Sequence, residues 1–255
     1  MTRKGPTSDP RGVQTLKAQL RLRQLILDGS LKAGQRVPEL SLVERTGVSR
    51  TPVRAALIRL AEEGLLEPVS SGGFIVRAFD ESDVYDAIDV RGTLEGAAAR
   101  RAAERRPTRK ELTELRDCVG AMDGLVKRHT VGIEQFSDYV RLNERYHALL
   151  VTLARSPALA RTIERIVALP FASPSAFVLA QANLPDAHQT LIIGQEQHRA
   201  ILDAVAAGEG ARAEGLAREH SNLAKRNLRS ASHRGEWLRH VVGGNLIKFR
   251  IPPTT

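Results

Sequence analysis

The chain of 255 residues has a single cysteine, Cys118. That scarcity excludes an internal disulfide and any site built from several thiolates, so a bound metal would have to be held by histidine and oxygen. Nowhere do about 18 apolar residues run together, the length a membrane-spanning helix needs. The opening segment MTRKGPTSDPRG carries basic residues with no apolar core behind them, unlike a secretory signal. No partner membrane is expected, and the reading places the protein in the cytoplasm. Internal repeats and low-complexity tracts are also missing, which argues against a solenoid. Acidic charge is in short supply: 38 Lys and Arg face 29 Asp and Glu, leaving +9. Residues 1–78 hold 13 of the basic and 7 of the acidic residues, so +6 of that excess sits in under a third of the chain. A field of that sign attracts polyanions, most simply a phosphate backbone, although a solvated basic surface is the plain alternative.

The length suits two small domains. Residues 1–12, rich in Pro, Gly, Ser and charge, read as a disordered arm. Residues 13–78 then read as a winged helix-turn-helix. A helix carrying Leu16, Leu20, Leu25 and Leu27 ends at Asp28-Gly29, and a short helix over Ser41 to Arg45 is followed by the turn residue Gly47. Ser49 is expected to cap a longer helix to Glu63, in which Val53, Ala56, Leu57, Leu60 and Ala61 form a core-facing stripe. Pro52 falls in its first turn, where a missing amide hydrogen costs little. Leu65 to Val69 and Phe74 to Val76, around Ser70-Ser71-Gly72-Gly73, read as a hairpin wing. From an expected cap at Asp80, residues 79–229 carry helical period throughout. Breaks near Pro107, Thr130 to Gly132, Ser156-Pro157, Pro170 to Pro185 and Gly208 to Gly210 leave room for six helices. The expected fold class is therefore mainly α: a winged helix-turn-helix followed by an antiparallel six-helix bundle. Residues 230–255 form a tail with no assigned role, in which Trp237, Val241, Val242 and Phe249 are candidates for packing.

Arg50 and Arg54 lie one turn apart on the face opposite the stripe, so both can enter a major groove. Arginine's parallel donors match O6 and N7 of guanine. Ser49 and Thr51 are placed to hold phosphates at the helix N-terminus, and Gly72 lets the wing approach a minor groove. The partner so implied is double-stranded operator DNA. The run Gly47-Val48-Ser49-Arg50-Thr51-Pro52-Val53-Arg54-Ala55-Ala56-Leu57, with Leu60 and Glu63-Gly64-Leu65 behind it, resembles the winged helix-turn-helix of GntR-family repressors. The resemblance implies DNA contact at Arg50, Thr51 and Arg54, and wing contact at Gly72. Some members carry a further DNA-reading arginine where this chain has Leu40.

Three of the seven histidines sit on apolar faces. Asn143 and His147 interrupt the stripe Phe136, Val140, Leu150, Ala154 of a helix expected from Glu134 to Ser156; His198 precedes Ile201, Leu202 and Val205; His220 lies between Ala217 and Leu223. An unpaired polar group in a core costs about 1–3 kcal/mol, so shared partners are needed. One cavity would supply them, with three imidazoles suiting zinc or nickel; separately satisfied core histidines are the alternative. No inward carboxylate stands out beside them as a general base. Asn143-Glu144-Arg145-Tyr146-His147, with His198 and His220 22 residues apart, resembles the FCD-type ligand-binding domain of the FadR-like GntR subfamily. The resemblance implies a divalent metal held by Asn143, His147, His198 and His220 that in turn holds an effector carboxylate. Members commonly have Asp in place of Asn143, and a neutral amide is a weaker ligand. Arg91 and Glu95, in Val90-Arg91-Gly92-Thr93-Leu94-Glu95-Gly96, match the Arg-x-x-Leu-Glu signature of these domains. Arg91 reads either as a clamp for the effector carboxylate or as half of an ion pair one helical turn long. The pattern there and in Ala98 to Arg105 is similar to repressors of vanillate catabolism.

Taken together these features describe a homodimeric, cytoplasmic repressor, not an enzyme, released from its operator by a small carboxylate effector such as an aromatic acid. Paired half-sites in DNA imply the two-fold dimer. The alternative is a metal-dependent hydrolase built on the three histidines, which leaves the first 78 residues without a role.

Overall fold

The computed structural model describes residues 10–127, 133–178, 187–232 and 241–248. The chain forms two compact units, one of residues 1–80 with 242–255 and one of residues 81–241.

The first unit opens with helix α1, Pro10–Leu27, so regular structure starts three residues earlier than composition suggested. Pro10 begins the helix, where its fixed φ suits a first turn; residues 1–9 of the expected arm lie outside the described residues. The buried face of α1 is Thr15, Ala18, Leu22, Leu25 and Ile26, whereas Leu16 and Leu20 face outward. Strand β1 (Arg36–Val37), α2 (Glu39–Thr46) and α3 (Arg50–Glu62) follow, then strands β2 (Leu66–Pro68) and β3 (Phe74–Val76). Both strands of the wing are present, and β1 adds a third that the sequence reading missed: β3 lies between β1 and β2, antiparallel to each, with Val37 opposite Phe74 and Glu67 opposite Ile75. A two-residue strand carries too little alternation to be seen in a sequence. Val53, Ala56, Leu57 and Leu60 of α3 are buried, as their stripe requires. The wing turn depends on Gly72 and Gly73, with φ of 89° and 86°, a region side chains avoid.

Phe79 and Asp80, read as the approach to a helix and its cap, instead form strand β4. Its partner is β5, Ile247–Lys248, in parallel register Phe79 with Ile247 and Asp80 with Lys248. The tail thus returns to the first unit. Leu246 and Ile247 are buried there, and Asn245 Nδ2 donates to Ile26 O at 2.9 Å, satisfying a carbonyl at the end of α1. Val242 is exposed, and Trp237 and Phe249 lie outside the described residues.

The second unit contains, among its described residues, six α-helices: α4 (Glu81–Glu104), α5 (Arg109–Val126), α6 (Ile133–Leu153), α7 (Pro157–Val167), α8 (Ala187–Ala207) and α9 (Gly210–Ser232). Thr108 and Glu111 form a reciprocal cap at the start of α5. Helix α6 stops at Leu153, short of the expected Ser156, which caps α7 with its side chain. The central core joins α4, α5, α6, α8 and α9 through residues such as Ala102, Leu115, Met122, Phe136, Tyr146, Val205 and Ala213. Helices α4 and α9 approach closely because α4 offers glycine. A Cβ at Gly92 would lie 2.7 Å from Ser221 Cβ and closer still to its Oγ, and one at Gly96 would lie 2.7 Å from Arg218 Cγ.

Candidate DNA-reading face and histidine site

Gly47 ends α2 in the left-handed conformation, φ 65°, and turns the chain into α3. With the apolar stripe of α3 buried, Arg50, Thr51 and Arg54 are exposed on its other face. Ser49 occupies the N-cap position, but its side chain makes no cap hydrogen bond, contrary to the sequence reading. Its extended backbone, φ −65° and ψ 165°, still sets the helix start. Helix-start amides are donors suited to an anion. Glu39 of α2, which nothing in the linear pattern singled out, meets both arginines: Oε2 lies 3.3 Å from Arg50 Nε and Oε1 lies 3.9 Å from Arg54 Nε. It therefore tethers the guanidinium pair. Gly72 is exposed at the wing tip, where its carbonyl accepts from Arg36 Nη2 at 2.7 Å. Leu40, beside Glu39, is 71% exposed.

In the second unit, α6, α8 and α9 bring His147, His198 and His220 together. One nitrogen from each lies within 4.8 Å of the others. Ring centroids are 5.7 Å apart for His147 and His198, 5.3 Å for His147 and His220, and 4.3 Å for His198 and His220. His198 is fully buried and His147 nearly so, and the ring of His220 is enclosed although that residue keeps some surface. Burial and the neighbouring imidazoles hold His198 well below its usual pKa and push His220 down to about 3, so both are neutral bases.

Two of the rings have their tautomer set by glutamines. Gln195 Nε2 donates to Val119 O at 2.9 Å and to Asp123, which turns Oε1 to His198 Nδ1 at 3.2 Å. An amide oxygen only accepts, so Nδ1 carries the proton and Nε2 the lone pair. Gln197 Oε1 does the same for His220 Nδ1 at 3.0 Å. The Tyr146 ring packs against His198, tilted by 46° with centroids 4.2 Å apart, and its hydroxyl donates to the backbone oxygen of that residue.

Asn143 is buried, and its Nδ2 donates to Ser175 Oγ at 3.1 Å, which leaves Oδ1 as its other polar atom. Arg91 and Glu95 of α4 are each 2% exposed and joined from Nη1 to Oε2 at 3.1 Å. The ion pair weighed from the sequence is therefore present, but inside the core instead of on the surface. Glu95 also corrects the expectation that no carboxylate faces the histidines: its Oε1 lies 3.1 Å from His147 Nδ1. Burial alone would raise the Glu95 pKa; the facing His147 and Arg91 bring it down to about 2, so it is ionised. The signal was available, since Arg91 and Glu95 share the Val84 and Ile88 face, which is buried.

Arg91, Asn143 and His220 border one small cavity of about 40 Å³, with Tyr139, Phe177 and Leu191 among its walls. That is room for about three waters. On the other side, Glu95 and His147 border a larger chamber of about 460 Å³ between α6 and α7, walled by Ala148, Val151, Ile163 and Val167. Tyr139 lines the small cavity, Tyr146 packs on the histidines, and Phe136 and Phe171 are buried outside both linings.

Two family models match consecutive parts of the chain: "Bacterial regulatory proteins, gntR family" over residues 14–76 and "FCD domain" over residues 86–223. The chain belongs to the gntR family, with an FCD domain. The Nta operon transcriptional regulator of Aminobacter aminovorans is 33% identical over 135 residues, a match that covers 53% of this chain and 61% of that protein. This stretch is less than two thirds of that relative's length. The Glc operon transcriptional activator of Escherichia coli K12 is 28% identical over 247 residues, covering 91% of this chain and 92% of that protein. Among solved structures, Escherichia coli McbR/YncC shares the fold with a TM-score of 0.57 at 21% identity, covering 87% of this chain and 98% of that one. Membership in a family of regulators sets the hydrolase alternative aside. No helix among the described residues is long and apolar enough to cross a membrane. The tail strand β5 lies beyond both matched segments, which is why family likeness carried no reading of it.

Proposed function

We propose that this gntR-family protein is a transcriptional repressor that binds operator DNA as a homodimer and leaves it when a small carboxylate enters the FCD domain. The observation that carries the reading is the enclosed histidine cluster. Among the described residues, His147 Nδ1 and Nε2, His198 Nε2, Arg91 Nε and Glu95 Oε1 are buried without a hydrogen-bond partner. Unsatisfied polar atoms in a core are costly, and several converging on one point are the mark of a site completed by a ligand. Three imidazoles fit zinc or nickel and leave positions open, so His147, His198 and His220 would hold the ion, with Asn143 Oδ1 as the fourth protein donor. The ion would supply positive charge for an effector carboxylate. Arg91, bordering the same cavity, offers the guanidinium edge that Glu95 leaves unused.

On DNA, Arg50 and Arg54 would read base edges, Ser49 and Thr51 would hold phosphates, and Gly72 would let the wing approach a minor groove. A two-fold dimer matches paired half-sites, and an effector that binds one arrangement of the sensor better than another shifts the population away from the DNA-bound state. The test is fluorescence anisotropy with the chain's own promoter DNA, titrated with zinc and a panel of aromatic and aliphatic acids. Release of bound DNA by one acid, in a zinc-dependent manner, supports the proposal. Binding unaffected by every acid with and without metal, or no binding to the promoter, refutes it.

A further inference from the structure

We infer that Asp123, an aspartate of α5 that bonds to no histidine, is a positioning residue for the metal site: acting through Gln195, it keeps the lone pair of His198 on Nε2. The inference rests on the reading that the three histidines hold a metal, although its hydrogen bonds belong to the protein alone. His198 Nδ1 lies 3.2 Å from Gln195 Oε1, one turn earlier on α8. That contact selects a tautomer only if the Gln195 amide is held one way round, because its NH2 donates where its oxygen accepts. Helix α5 holds it. Gln195 Nε2 donates to two acceptors there, Val119 O at 2.9 Å and Asp123 Oδ1, so each hydrogen of the NH2 group has a partner. Turned over, the amide would set its oxygen against two other oxygens.

Of the two acceptors, Val119 O is backbone, so Asp123 is the one that a side chain supplies. Its own place is enforced by Arg199, which follows His198 in the chain and grips the carboxylate through Nε at 3.0 Å and Nη2 at 2.7 Å. Arg199 fixes Asp123, Asp123 fixes the Gln195 amide, and the amide fixes His198. The chain begins at a partly exposed ion pair between α5 and α8 and ends on a fully buried ring. At that end His198 Nε2 is buried without a partner, the free lone pair that a metal requires of a neutral imidazole. Outer partners of this sort orient metal-binding histidines and raise their basicity. An ion pair that only joined the two helices would be complete with Arg199 and would not take Gln195 Nε2 as a further donor.

NMR of metal-free full-length protein tests this without any variant. Imidazole ¹⁵N shifts are expected to show His198 protonated at Nδ1, and both side-chain amide protons of Gln195 should exchange slowly, one held by Val119 O and the other by Asp123. Protonation of His198 at Nε2, or fast exchange of either Gln195 proton, overturns the inference. Zinc affinity, measured by competition with a chelator, is the second readout. Asp123→Ala should give His198 a mixture of tautomers and weaken zinc binding by about 10-fold, the low end for loss of an outer partner. Asp123→Asn, which keeps an oxygen for Gln195, should recover most of that loss. Asp123→Ala with the wild-type tautomer and unchanged zinc affinity overturns the inference even where its Tm falls, since a lower Tm alone is what a merely structural ion pair gives. So does equal weakening in both variants, which points to charge instead of orientation. Where Asp123→Ala does not fold, the wild-type spectra decide the matter. Wild type that takes up no zinc sinks the metal reading instead, and the tautomer and exchange measurements still judge Asp123.

Discussion

The close approach of α4 and α9 predicts that adding one methyl group at Gly92 damages both stability and the histidine site. In an open helical position Gly→Ala stabilises by up to about 1 kcal/mol. At Gly92 the new Cβ would come within 2.7 Å of Ser221 Cβ, an atom next to the backbone that cannot swing away as a long side chain would. Overpacking of this kind costs about 1–3 kcal/mol, and so rigid a neighbour puts the cost near the top of that range. The net destabilisation of Gly92→Ala is then about 2 kcal/mol, a fall in Tm of about 4–8 °C for a chain of this size. Gly120 and Gly124 on α5 meet nothing within 4 Å and supply an internal control. Gly120→Ala is expected to raise Tm by about 1–4 °C. The compensating change is Ser221→Gly, and a double-mutant cycle with Gly92→Ala should return a favourable coupling of about 2 kcal/mol. Because His220 adjoins Ser221, zinc affinity should fall in Gly92→Ala and recover in the double variant. Differential scanning calorimetry and zinc competition read these effects. A Tm change of the same sign and size at Gly92 and Gly120, or no coupling to Ser221, would refute the close-contact argument.

Metal-free protein should lose stability as pH falls below about 6.5, the unfolded histidine value. His198 and His220 have folded pKa values depressed below it, so the unfolded chain binds protons first, and stability present above that pH is lost on acidification. Two such groups amount to about 2–3 kcal/mol between pH 7 and 5.5, to be read from urea midpoints; a flat profile over that window would contradict the burial of the two rings. Arg54→Ala should cost about 1–3 kcal/mol of promoter binding by anisotropy, whereas Glu39→Gln, which releases both arginines, should tighten binding at low salt. Unchanged binding in Arg54→Ala would remove α3 from the DNA-reading role. Leu246→Ala should destabilise the first unit by about 2–4 kcal/mol, since that side chain is fully buried; hydrogen exchange at Phe79 and Ile247 should rise with it, and unaltered protection would show that the tail contributes nothing there.

The parts of this fold that repeat a period over many residues were legible in the sequence. The stripe of α3 and the six helices of the second unit follow from apolar spacing, and the glycines of the wing from the φ values its turn needs. What escaped was short or nonlocal. Strands β1 and β5 are two residues each, below the length at which alternation means anything, and the pairing of Ile247 with Phe79 spans nearly the whole chain. The exposed Leu16 and Leu20 have the same cause: α1 has apolar residues on more than one face, and only the packing partner decides which face is buried.

The histidine site divides along the same line. That His147, His198 and His220 face inward could be read from their own helices, one at a time. Which polar atoms meet them could not, because Glu95, Gln195 and Gln197 reach the rings from positions whose periodicity gives a face and not a partner. Glu95 shows the limit of reading pairs by spacing. One turn from Arg91 it is an ordinary ion-pair partner, worth a few tenths of a kcal/mol if exposed. Buried beside His147 the same pair costs desolvation that its own attraction does not reliably recover. A core that keeps two charges and three imidazoles together is costly, and the proposed ion with a carboxylate on it would offset that cost.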